Sequence, residues 1–106
     1  MIQLEENEIG MLVADQFLKE KSSTIEALKA LGAVDVILDC SEHTVSVKDL
    51  KLLKSLVIAN SRCFVMVIPT DRMQDFPEEL NVVPTRKEAE DFISFERMQR
   101  DLGIEL

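Results

Sequence analysis

The 106 residues hold 20 acidic side chains against 12 basic ones, for a formal charge of -8, and 46% of them are apolar. That composition fits a single globular domain over 1–106, and it disfavours nucleic acid and anionic lipid as partners, because both repel such a chain. No apolar run reaches the ~20 residues of a membrane helix, and the opening MIQLEENE has neither a basic head nor an apolar core, so a cytoplasmic protein is expected.

The first elements predicted are two short strands, IQLEE and IGMLVA, joined as a hairpin through Asn7 and Glu8. SSTIEALKALG then offers Ser23 as a helix N-cap with Glu26 three residues on. Ile25, Leu28 and Leu31 give that helix an apolar stripe, and Gly32 is placed to close it in the left-handed conformation. VDVILDC is short, β-branched and apolar, as befits a strand covered on both faces.

The next helix is SVKDLKLLKSLVIAN. Ser46 is its candidate cap, and Asp49 meets the positive end of the helix dipole. Leu50, Leu53 and Val57 form its stripe, which Leu52 and Leu56 widen. CFVMVIP has no polar side chain and reads as the innermost parallel strand. In TDRMQDFPEEL, Pro77 interrupts a helical spacing, so a short helical turn or an ordered loop is predicted.

NVV follows as an edge strand. The last helix has Thr85 and Glu88 as a capping box, and Ala89, Phe92, Ile93 and Met98 as its stripe, broadened by Phe95 and Leu102. That stripe is expected to cover the sheet of its own chain, with part of it facing a partner as the alternative. Gly103 closes the helix, with Ile104 placed to touch Met98.

The resulting order predicts an α/β fold: a small, mixed, mainly parallel sheet, an N-terminal β-hairpin, and helices mostly on one face.

Little in the chain points to catalysis. His43 is the sole histidine, there is no zinc-ligand spacing, and Gly10, Gly32 and Gly103 make no phosphate cradle. Cys40 and Cys63 lie in apolar runs without CxxC spacing and read as buried free thiols. A Cys40–His43 pair has no evident third orienting group. Lys48, Lys51 and Lys54 drift around their helix and make no basic face. Neither an enzyme nor a cofactor is expected.

The remaining candidates are polar groups at strand ends: Asp39, Ser41, Thr44 and Ser46 after one strand, Thr70 and Asp71 after the next. They should gather at one rim of the sheet. Ser46 is either a plain helix cap or a possible phospho-acceptor, since free N–H groups at a helix start stabilise added negative charge. Asp39 at a strand end also admits a receiver-like domain phosphorylated on that carboxylate, although VADQ supplies only Asp15 toward the acidic pair such a domain needs for magnesium.

VILDCSEH, VKDLKLL and the ending VVPTRKEAEDFISFERMQRDLG resemble the STAS domain of bacterial anti-sigma factor antagonists, over about residues 34 to 103. The ending is similar to that of a short bacterial subset sometimes labelled ribonuclease Z. A zinc phosphodiesterase needs several histidines, and this chain has His43 alone. The resemblance implies a cytoplasmic protein partner, an anti-sigma factor, a kinase-like protein or another regulator, bound through a rim of Asp39, Ser41, Ser46, Val47, Lys48 and Asp49.

A monomer or weak dimer is expected. STAS antagonists are switched by a serine in a D-S-S-G-L-type turn. Here that turn reads SVKDL: Val47 and Lys48 stand where the serines belong, Asp49 replaces the glycine, and Ser46 is out of register. A switch position without its switch is expected, with phosphorylation of Ser46 or Ser41 as the alternative.

Overall fold

The computed structural model describes residues 2–5, 7–77 and 80–103. Its elements are β1 (Gln3–Leu4), β2 (Ile9–Val13), α1 (Ala14–Lys19), α2 (Lys21–Leu31), β3 (Asp35–Asp39), α3 (Val47–Ile58), β4 (Phe64–Val67), a 3-10 helix (Thr70–Asp75), β5 (Val82–Val83) and α4 (Arg86–Asp101). One sheet runs in the order β1-β2-β3-β4-β5. β1 pairs antiparallel with β2, and every other pair is parallel. The α/β class, the hairpin and the mainly parallel sheet are those predicted.

Side-chain alternation along the strands sorts the core into two layers. Leu12, Val36, Leu38, Phe64 and Met66 pack with Phe17 of α1, Leu28 of α2, and Leu50, Leu53 and Val57 of α3. Ile9, Ile37, Val65 and Val67 pack on the other side with Ala89 and Ile93 of α4. Helices α1 to α3 therefore share one face, and α4 alone covers the other. Gly10 allows the hairpin to close tightly, because a Cβ there would stand 3.1 Å from Ile2 Cγ2.

Several local expectations need correction. Ser23 does not cap a helix. A separate short helix, α1, precedes α2 and seats the buried Phe17, and the chain breaks between them at Glu20, with φ -137° and ψ 53°. Ser23 thus falls inside α2, where Thr24 and Leu28 are buried and Leu31 is exposed. Leu52 also turns to solvent, and only the Leu50, Leu53, Val57 side of α3 is buried.

β4 is interior to the parallel strands, with β3 and β5 on its two sides, but it shares that place with β3, which is the middle strand of the whole sheet. Met98 lies outside the core of α4. Phe95, Met98 and Leu102 are 57%, 60% and 69% exposed, so they do not cover the sheet. The contact expected for Ile104 lies outside the described residues.

Other expectations hold. Ser46 and Thr85 cap α3 and α4, their hydroxyl oxygens accepting the Asp49 and Glu88 backbone N–H groups, each at 3.2 Å. Thr70–Asp75 is the short helical turn ahead of Pro77, and β5 is an edge strand. Gly103 and Gly32 both take positive φ, but Gly32, at φ 75° and ψ -130°, ends α2 outside the left-handed helical region expected for it. No helix among the described residues is long and apolar enough to cross a membrane.

Candidate functional site

Strand β3 ends at Asp39, and the loop after it is held on both sides. Asp39 Oδ1 accepts the Ser41 N–H at 2.9 Å, a compact turn of the kind aspartate favours. Arg72, on the 3-10 helix after β4, donates to the carbonyl oxygens of Cys40 (3.2 Å) and Ser41 (3.0 Å). Val45 anchors the far side of the loop in the core. Two strand-end loops thus meet at one rim, with Ser41, Thr44, Thr70 and Asp71 exposed on it.

The start of α3 completes the rim. Ser46, Val47 and Lys48 are exposed, and Asp49 is half-buried. Lys21 of α2 reaches Asp49 Oδ2 at 3.0 Å. That hydrogen bond holds the Asp49 carboxyl below the usual carboxylate range against the opposing effect of burial, with the charge of Lys21, the Ser46 hydroxyl and the charge of Lys48 adding to it. The turn is therefore a capped helix start with a fixed carboxylate, and Val47 stands 36% exposed beside it.

Below the loop lies a hollow of about 230 Å³ lined by Val13, Asp15, Asp39, Ser41, Glu42 and His43. His43 Nε2 is 3.7 Å from Asp15 Oδ1. Among the described residues, no group of three His, Cys, Asp or Glu side chains is placed to hold a metal ion. Cys40 is fully buried, and burial, with the nearby Asp39 charge, pushes its thiol up to about 11. It stays protonated at neutral pH and supplies no thiolate to His43. Arg72 and Lys21 are rim residues that sequence reasoning gave no part there; each is brought in by tertiary contact and carries no local signal, whereas Asp15, named in the receiver-like reading, lies on the rim beside His43.

The opposite end of β3 holds a feature the sequence did not suggest. Asp35 is 2% exposed. Its carboxylate accepts Arg97 Nε (2.8 Å), Arg100 Nη2 (3.1 and 2.9 Å) and the Cys63 backbone N–H (2.8 Å). Burial alone would raise its pKa; the bonds to Arg100, Cys63 and Arg97 outweigh that and hold it below the usual range.

The same arginines reach further. Arg97 donates to the carbonyl oxygens of Asn7 (2.6 Å) and Glu8 (3.2 Å), and Arg100 to that of Ser61 (3.1 Å). Glu8 and Ser61 are non-glycine residues at positive φ, 63° and 58°. The cluster therefore clasps two strained turns, one before β2 and one before β4, to the end of α4.

The geometry separates a fixed end of the sheet from an exposed one. Comparisons of the chain with protein-family models, with curated proteins and with solved structures find no match.

Proposed function

We propose that the protein is a non-enzymatic, STAS-like regulatory module of the cytoplasm, and that it docks a regulatory protein through the rim of Asp39, Ser41, Ser46, Val47, Lys48 and Asp49 without a serine switch. The observation that carries this reading is the state of Ser46. Its oxygen already accepts the Asp49 N–H at 3.2 Å, and the neighbouring positions are an exposed valine and an exposed lysine. A phosphate on Ser46 would compete with the cap and face the Asp49 carboxylate, which Lys21 already neutralises in part. Val47 and Lys48 instead give a small apolar and cationic surface on a rigid helix start, suited to protein contact.

The test is capture of partners from native cytosol, followed by crosslinking mass spectrometry. Crosslinks should fall between residues 39 and 50, and Val47→Glu with Lys48→Glu should abolish them. Crosslinks that avoid the rim reject the reading.

A second reading keeps Ser46 as a phospho-acceptor. What favours it is that the hydroxyl is exposed at a helix start, where backbone N–H groups welcome an anion. Intact mass of the native protein separates the two: a stoichiometric phosphate on Ser46 or Ser41 supports the switch, and an unmodified chain supports the first reading.

A further inference from the structure

Helix α4 sorts its charges. Its arginines turn toward the sheet: Arg97 and Arg100 to Asp35, and Arg86 to Glu5 and Glu90. At 100° per residue, the opposite half of the helix carries Glu88, Asp91 and Asp101 against Lys87 alone, which is itself paired with Asp91 at 3.3 Å, while the half-buried Glu96 turns toward Cys63 on the sheet side. Along the middle of this acidic half run Phe95, Met98 and Leu102, spaced i, i+3, i+7, each more than half exposed. A single exposed apolar residue is ordinary, but an aligned aromatic, thioether and leucine at helix spacing form a continuous seam. The half-buried Phe92 and Gln99 border it.

We propose that this outer face of α4 is a docking site for a basic amphipathic helix of another protein. The seam offers apolar anchors at the spacing such a helix uses, and the carboxylates on both sides match lysines or arginines flanking the apolar face of the partner. A second copy of this chain is disfavoured, because pairing two such faces sets acidic borders against each other in a chain of charge -8. An anionic bilayer is disfavoured for the same reason. The site is separate from the β3 rim and does not depend on the reading given above.

The test uses the full chain and a fluorescein-labelled designed helix of about 18 residues, with leucines on one face and lysines beside them. Anisotropy should show saturable binding, and heteronuclear NMR should place the shifted amides between residues 91 and 102. Phe95→Ser or Met98→Ser, at exposed positions that leave the fold intact by circular dichroism, should each weaken binding about tenfold. Replacing the peptide's lysines by glutamate should abolish it, while Val47→Glu at the rim should leave it unchanged.

The proposal is overturned by any of these results: no binding at millimolar peptide, equal binding of the glutamate peptide, shifts confined to residues 39 to 50, or indifference to the serine substitutions. It is likewise overturned if sedimentation shows the chain pairing with itself through the seam, or if the seam binds phosphatidylglycerol vesicles instead.

Discussion

Strand β3 begins and ends with aspartate, and both side chains lie on the face of the sheet that α4 covers. Asp35, at the amino end, is 2% exposed and is held by two guanidinium groups and a backbone N–H. Asp39, at the carboxyl end, accepts the N–H of Ser41 in a loop that opens to solvent. The same residue type on the same strand thus serves as a clasp at one end and as part of a surface at the other. The partners decide the role: α4 runs back across the sheet and delivers its arginines to the amino end only.

The contrast breaks most readily by truncation. Asp35→Ala leaves Arg97 and Arg100 without their counter-charge and frees two strained turns, so it should cost about 3 kcal/mol in urea unfolding. Asp39→Ala removes one local hydrogen bond and should cost about 1 kcal/mol or less. Equal losses at the two ends would dissolve the distinction.

Acid sharpens it. The Asp35 pKa is lowered in the folded chain from a reference of 3.8. The stabilisation it brings is therefore present above that value and is lost as pH falls below it toward the folded pKa. The stability gap between the wild type and Asp35→Asn should stay constant from pH 7 to about 5 and narrow below pH 4. A gap that widens in acid would contradict the clasp.

The rim should respond more mildly. Ser46→Ala should cost about 1 kcal/mol through the lost cap, Ser46→Asp should be close to neutral, and Thr85→Ala should match the first. A neutral Ser46→Ala would mean that the hydroxyl is not engaged as a cap.

The smallest effect near neutrality concerns the thiols, each close to one of the aspartates. Burial, with the charges of Asp39 and Asp35 respectively, pushes Cys40 up to about 11 and Cys63 up to about 12. Because the folded values exceed the reference of 9.0, their contribution is complete below pH 9 and declines as pH rises from there toward the folded values. Both thiols should react slowly with a disulfide reagent at pH 8, Cys40 more slowly than the half-buried Cys63.

The parts of the fold legible in the sequence were those written locally. Apolar strands of β-branched residues, the caps Ser46 and Thr85, and the glycines at positive φ are each decided within a few residues. The clasp was not legible, because Asp35 meets Arg97 and Arg100 across 62 and 65 positions and no spacing rule links them. Ser23 misled because a capping pattern acts only where the backbone leaves the helix, and here α2 had already begun at Lys21. Met98 misled because the apolar residues of α4 occupy two sides of the helix, and periodicity alone does not say which side the sheet takes. At the rim the polar loop residues were legible, whereas Arg72 and Lys21, which hold it in shape, were not.

The sheet's margins carry a last consequence. Both outer strands, Gln3–Leu4 and Val82–Val83, are two residues long, and Pro84, which lacks an N–H, follows the second. Among the described residues, neither border strand offers a long ladder to a foreign strand, which disfavours fibril-like growth by strand addition at both sides. Assembly is thereby steered toward the helices and loops.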